Sequence, residues 1–317
     1  MELRKLREPN RAPEIPDNWF VQKVKETKAA EMVVRPSLSY WQDSWRRLLK
    51  NNLAMAGLGF LFLLVIMAIF GPIISPHSVG HQSLIKQNLP PSSTYWFGTD
   101  ELGRDVFTRT WYGARVSLFV GIVAALIDFS IGVIYGGIAG YKGGKTDHVM
   151  MRIIEVLYGL PYLLVVILMA VVMGPGLSTI ILALSITGWI GMARIVRGQV
   201  LQIKNYEFVL ASKSFGTKTG RIIRKNLLPN TMGPIIVQIT LSVPSAIFAE
   251  AFLSFLGLGI QAPHASWGVM ASDGLSVILS GYWWRLFFPA LFISLTMFSF
   301  NVLGDGLQDA LDPKLRR

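Results

Sequence analysis

Six apolar segments set the strongest constraint on what this chain of 317 residues can fold into. A helix needs about 20 apolar residues to cross a hydrocarbon core roughly 30 Å thick, and each segment approaches or exceeds that length. They predict an all-α polytopic membrane protein with six transmembrane helices. The predicted spans are 53–75, 116–141, 150–173, 177–193, 232–256 and 286–304.

The basic residues orient these spans. Of the 30 lysines and arginines, 25 lie in the N-terminal tail, in the segments 142–152 and 194–225, and at the C-terminus. The other five are Lys86, Arg104, Arg109, Arg115 and Arg285. Because cytoplasmic segments carry the excess of basic residues, we expect both termini to be cytoplasmic.

Composition excludes several other classes of protein. Charged residues make up 15% of the chain, against about a quarter in soluble domains. There is no cysteine, which rules out disulfides, thiolate zinc sites and a cysteine nucleophile. The net charge of +11 does not indicate nucleic-acid binding, because the basic residues follow membrane topology.

The N-terminal tail, residues 1–50, is polar and carries four prolines, so most of it is predicted to be irregular. Trp41, Trp45, Leu48 and Leu49 are spaced as on a helix lying in the inner membrane interface, although an ordinary juxtamembrane stretch fits equally well. The first apolar run starts some fifty residues in and has full length, which favours a retained helix over a cleaved signal peptide.

Small and polar residues characterise the next region. Segment 75–113 is too polar for lipid and is predicted to be an outer loop. In the second span Gly132, Gly136 and Gly140 recur every four residues, and such repeats let helix backbones approach closely. We therefore expect them to form a packing surface.

Sequence motifs for catalysis are weak. The stretch AGYKGGKT, residues 139–146, fits a loose phosphate-loop pattern but follows a membrane helix instead of a strand. His77 and His81 lack a third ligand nearby, and the chain has no nucleophile elbow or paired carboxylates. We predict no enzyme activity, cofactor or metal for this chain.

Ionisable residues at membrane depth are costly and are therefore candidates for function. Asp128 lies near the middle of the second span and Glu250 well inside the fifth, and both are candidates for a translocation path. Arg152 and Glu155 are more simply an interfacial ion pair. In a remote alternative, Asp128 and Glu250 form the ion or proton site of a self-sufficient carrier or channel.

The inner stretch between the fourth and fifth spans is basic and amphipathic. It is predicted to form two short helices separated at Gly216, with the second closed by Pro229. The predicted apolar patches are Tyr206, Val209 and Leu210, then Ile222, Ile223, Leu227 and Leu228. Periodicity alone leaves two roles open, a surface resting on the membrane and a docking surface for a partner.

Five stretches together resemble the C-type permease subunit of dipeptide and oligopeptide ABC importers, over about residues 41–317. They are WFGTDELGRDVFTRTWYGARVSL, AGYKGGKTDHVMMRIIEVLYGLPYLL, YEFVLASKSFG followed by LLPN, FLSFLGLGIQAPHASWGVM, and NVLGDGLQDALDPKL. The resemblance implies the type I ABC importer permease core. It divides the chain into a cytoplasmic tail (1–50), first helix and outer loop (51–113), permease core (114–306, with a coupling loop at about 196–231) and C-terminal tail (307–317).

The resemblance also implies a function and partners. The family's coupling loop maps onto Glu207, Ala211, Ser212, Gly216 and Pro229, with Leu210 and Ser212 in place of the family's glutamate and second alanine. This chain would form half of a peptide path in a bacterial inner membrane. Its implied partners are a second permease, two ATPase subunits holding ATP and magnesium, and an outer binding protein. Relatives that import nickel, glutathione or other small solutes provide the alternative.

Overall fold

The computed structural model describes residues 39–261 and 264–312, and the chain divides into two units, residues 1–42 and 43–317. The second unit carries the fold described below. Its helices are α1 (Tyr40–Lys50, which begins in the first unit), α2 (Asn52–Ile74), α3 (Val106–Lys142), α4 (Gly144–Tyr158), α5 (Tyr162–Met173), α6 (Leu177–Thr187), α7 (Trp189–Ile203), α8 (Glu207–Ser214), α9 (Thr219–Ile222), α10 (Leu228–Phe255), α11 (Trp267–Ser276) and α12 (Trp284–Leu311).

The described ranges confirm the all-α polytopic fold. Five helical stretches are long and apolar enough to cross a membrane: Asn52–Ile74, Val106–Lys142, Leu177–Ile203, Thr219–Phe255 and Trp284–Leu311. The predicted span 150–173 is not one straight helix, because α4 and α5 meet at 77°. Pro161 explains the break, since proline lacks an N–H and disfavours helical backbone at the residue before it. Counting this bent pair as one span gives six.

Several helices extend beyond their predicted ends. Helix α3 begins at Val106 instead of 116, and the helical stretch of the fourth span continues to Ile203 instead of 193. Asp105 fixes the start of α3 by accepting a hydrogen bond from the Thr108 backbone N–H at 3.0 Å. The first turns of α3 contain buried Arg109 and Thr110. Hydropathy missed them because the protein, and not lipid, surrounds these polar residues.

The glycine repeat of α3 packs against α7, as predicted. A Cβ added at Gly136 would lie 2.3 Å from the carbonyl oxygen of Ala193, closer than any real side chain allows. At Gly140 the added atom would lie 2.9 Å from the Arg197 carbonyl oxygen. The absence of side chains on this face of α3 therefore brings the two backbones together.

The polar segment between α2 and α3 is folded against α12. The Trp284 indole N–H donates to the Thr99 carbonyl at 3.1 Å, and the Arg104 guanidinium pairs with Asp100 at 2.6 Å. Both members of that ion pair are buried. The segment is thus a fixed cap over one end of the helical bundle, which we refer to as the cap loop (residues 75–105).

Helix α1 forms at the predicted tryptophan-rich stretch. Leu48 is buried in a cluster with Ala54 and Leu303, whereas Trp45 and Leu49 on the same helix are exposed. The helix is thus amphipathic, and its place in the membrane interface stays a prediction.

Candidate functional site

The stretch between α7 and α10, at the end of the bundle opposite the cap loop, carries most of the predicted site. Its first element is α8, whose buried face is a single residue, Val209, with 1% exposure. Tyr206 and Leu210 were predicted to share a patch with Val209, but both are exposed. Positions 206, 209 and 210 follow the i, i+3, i+4 spacing of one helix face. Only Val209 of the predicted patch packs into the protein, and the other two side chains are exposed beside it.

Gly216 ends α8 in a conformation that favours glycine. Its φ is +70°, and the Gly216 N–H donates to the Lys213 carbonyl while the Thr217 N–H donates to the Ser212 carbonyl. This pair of bonds is the Schellman arrangement that satisfies the last carbonyl groups of a helix. Gly216 therefore separates the two halves of the stretch, as the sequence predicted.

The second half does not form a separate short helix. Helix α9 continues through a wide π turn, residues 223–227, into α10, so Pro229 lies in the first turn of a long helix and does not close a short one. The Leu228 N–H donates to the carbonyl of Ile223, five residues back. Proline has no N–H for the usual bond and its ring crowds the preceding turn, which the wider turn accommodates.

Two kinds of exposed side chain surround α8. An apolar set consists of Tyr206, Phe208, Leu210 and Phe215, and Phe215 is 87% exposed. A basic set, also exposed, consists of Lys213, Lys218, Arg221, Arg224 and Lys225. We call this combined surface the α8 face. Glu207 and Ala211 are exposed on it, whereas Ser212 accepts a hydrogen bond from the Asn226 side chain at 2.7 Å and joins α8 to the π turn.

The α8 face rests on a packed base. Val209, Ile222 and Leu227 are buried in one cluster with Val196 and Val200 of α7.

Polar bonds hold the same base. The Arg197 guanidinium donates to both carboxylate oxygens of Asp147, at 2.5 and 2.6 Å, and so connects α7 to α4. Lys204 donates to the Gly140 carbonyl at 3.1 Å. A bidentate arginine–carboxylate pair fixes the relative orientation of the two side chains as well as their distance. The base beneath α8 is therefore bonded to α3 and α4 as well as belonging to α7.

Asp128 lies on α3 beside a cavity of about 340 Å³ between α3, α6 and α10. The side chain is 9% exposed, and its Oδ1 has no hydrogen-bond partner among the described residues. The hydroxyl of Tyr162, which also lines the cavity, is likewise unpartnered there. Sequence reasoning found Asp128 but missed Tyr162, because nothing in the sequence brings α5 to this part of α3.

Glu250 occupies a different environment. It is completely buried, and its carboxylate accepts hydrogen bonds from Ser266 at 2.6 Å, Ser254 at 2.8 Å and Ser117 at 3.2 Å. These bonds link α3, α10 and the start of α11. The structure therefore does not bring the two predicted acids together, and Glu250 stabilises contacts between helices.

A further cavity of about 400 Å³ opens beside the cap loop and is lined by charged residues that the sequence did not single out. They include Glu101, Arg104, Arg109 and Asp273. Burial, together with the neighbouring Glu101 charge, raises the pKa of Asp273 above its usual value, although the arginines act in the opposite direction. The cavity walls thus hold both signs of charge.

Comparison with protein families gives two matches. Residues 132–317 match the family described as binding-protein-dependent transport system inner membrane component. Residues 39–91 match the N-terminal TM domain of oligopeptide transport permease C.

Relatives of similar length exist. The dipeptide transport system permease protein DppC of Bacillus subtilis (strain 168) is 76% identical over 98% of this chain and 97% of its own length. The oligopeptide transport system permease protein OppC of the same organism is 57% identical over 96% of this chain and 99% of its own length.

A solved structure shares the fold. Inward-facing conformations of the MetNI methionine ABC transporter superpose with a TM-score of 0.52 at 19% identity, covering 63% of this chain and 94% of that chain.

Proposed function

This chain belongs to the family of binding-protein-dependent transport system inner membrane components, and we propose that it is the permease subunit of an ATP-driven importer of dipeptides or oligopeptides. The observation that carries the proposal is the 76% identity to a dipeptide permease over 98% of the chain. The 57% identity to an oligopeptide permease leaves the length of the peptide open.

The proposed machine has further subunits. A second, homologous permease completes the path, two ATP-binding subunits supply ATP hydrolysis with magnesium, and an extracytoplasmic binding protein delivers the peptide. This chain contributes no catalytic residue to ATP hydrolysis. Both termini and the α8 face lie on the cytoplasmic side, in agreement with the excess of basic residues there.

The α8 face is the proposed contact with an ATP-binding subunit. Its exposed apolar side chains, of which Phe215 is the most exposed, fit the buried core of a protein interface, and the exposed basic side chains of the same stretch fit a polar rim. Closure of the ATPases would push on α8. The packed base would then carry that movement into the spans and shift the permease pair between inward-facing and outward-facing states.

Gly216 allows a direct test of this coupling. Gly216→Trp should leave the chain inserted and the complex able to hydrolyse ATP, but should abolish peptide uptake, because the strained end of α8 changes the docked geometry. A matched control is Gly174→Trp, a second glycine with positive φ (+79°) and open space around it, between α5 and α6. Normal uptake by Gly216→Trp would contradict the coupling role.

The first experiment is a mild-detergent purification of the tagged chain from its native membrane, followed by ATPase and uptake assays in liposomes. We expect a second permease and ATP-hydrolysing subunits to copurify, and labelled peptide to enter with the binding protein present. Uptake of nickel or glutathione without peptide uptake would change the substrate. Recovery of the chain alone, with no ATPase activity, would refute the proposal.

A further inference from the structure

The cavity beside Asp128 has the features of a cation site. A carboxylate at membrane depth is costly unless another group or water compensates it. In the described part of the chain, Asp128 has neither an ion pair nor a hydrogen bond, and no lysine, arginine or histidine lines the cavity. None of the described residues therefore compensates the free-energy cost of burying the Asp128 carboxylate.

The lining of this cavity mixes apolar side chains with several polar ones. Gln238, Ser242 and Thr187 line the same cavity, as does the free hydroxyl of Tyr162. Gly188 provides the room for the acid, since a Cβ there would lie 2.5 Å from Asp128 Oδ2. Any side chain at position 188 would displace the carboxylate.

A primary ammonium group matches these acceptors. It presents three donors and a positive charge, and the cavity offers a carboxylate together with hydroxyl and amide oxygens. Resting on the proposed function, we propose that Asp128 and Tyr162 bind the protonated amine of a peptide as it passes through this subunit. A peptide carries such an amine at its N-terminus or on a lysine side chain, and both share this chemistry.

The chain's lack of cysteine allows the local charge to be measured. Ser242→Cys places a thiol of nearly the same size on the cavity wall. In the purified complex, its modification by a trimethylammonium-ethyl and a sulfonato-ethyl methanethiosulfonate is followed by the mass of this chain. Rates are normalised to those of a free thiol.

We expect the cationic reagent to be favoured about tenfold, because a single negative charge lining the same partly aqueous cavity attracts the cation and repels the anion. The ratio of the cationic rate to the anionic rate should fall towards one with Asp128→Asn and should stay high with Asp128→Glu. Glu250→Gln, which alters a buried acid outside the cavity, should leave it unchanged. A preference unaffected by Asp128→Asn, or a thiol that reacts with neither reagent, would overturn the proposal.

Peptides added directly to the complex identify the ligand. A tripeptide with a free N-terminus should slow modification of the thiol several-fold, and the same tripeptide acetylated at its N-terminus should not. An acetylated peptide containing lysine reports whether any amine suffices. Equal protection by free and acetylated peptides lacking lysine, or protection that survives Asp128→Asn, would refute amine recognition. Peptide uptake is measured separately, so failure here is distinguishable from failure of the importer function.

Discussion

Truncation of Phe215 is the sharpest test of the α8 face. The side chain is 87% exposed, follows α8 directly, and makes no ring contact within the described residues. In the proposed complex, this exposed aromatic side chain would fill a pocket on the ATP-binding subunit. We expect Phe215→Ala to weaken binding of the ATP-binding subunit without loss of folded permease.

The size of the effect follows from the exposed area. An aromatic side chain offers about 200 Å², so complete burial of the exposed part would remove roughly 170 Å² from water. At about 25 cal/mol per Å² this area is worth up to about 4 kcal/mol. If the side chain is only partly buried, its loss costs about 2 kcal/mol, which raises the dissociation constant roughly 30-fold. The upper limit of about 4 kcal/mol would raise the dissociation constant by several hundred-fold, on the order of 10²–10³.

The assay is titration of the purified ATP-binding subunit against the permease pair in nanodiscs. Phe62→Ala is the matched control, because Phe62 is also exposed (69%) but lies on α2, within a membrane span. The control should bind the ATPase with unchanged affinity. An unchanged dissociation constant for Phe215→Ala would show that the ATPase docks elsewhere and would refute the assignment of the α8 face.

Three further predictions concern packing, buried polar bonds and pH. Gly136→Ala should lower the melting temperature in detergent markedly, since overpacking costs about 1–3 kcal/mol. Its control is Gly137→Ala, which should be tolerated because the added Cβ would meet its nearest neighbour at 3.4 Å. Equal melting temperatures for the two variants would contradict the tight contact at Gly136. Ser266→Ala removes the 2.6 Å donor to Glu250 and should cost about 1–3 kcal/mol by chemical denaturation, and wild-type stability would contradict the network. Burial raises the pKa of Asp273 in the folded state. The folded state therefore loses stability as the pH rises from the ordinary pKa of an aspartate carboxyl through this raised pKa. Asp273→Asn should therefore raise the melting temperature near pH 7 but not near pH 3, and a gain independent of pH would contradict this.

Predictions from the sequence were most accurate where a residue's own chemistry decides its structure. Gly216 was predicted to interrupt the helix, and its positive φ is the reason that glycine is needed there. The Gly136 face was predicted to pack, and the carbonyl of Ala193 occupies the space that a side chain would take. These features depend on the presence or absence of a Cβ, which a sequence states directly.

Predictions were less accurate where the structure at a position depends on the residues that surround it. The start of α3 was missed because Arg109 is buried by the protein, whereas hydropathy treats it as facing lipid or water. Pro229 was predicted to close a helix, but a wide turn accommodates it. The two buried acids looked equivalent, yet Glu250 has three serine donors and Asp128 has an open cavity.

By itself, the sequence determined that this chain is helical, membrane-spanning and related in pattern to peptide permeases, because span length, basic residues and local motifs are properties of contiguous segments. Only the tertiary structure decided which polar groups are satisfied and which face a cavity, and which side chains around α8 remain uncovered. Those properties arise from contacts between residues far apart in the chain, such as Ser117 with Glu250 and Asp147 with Arg197.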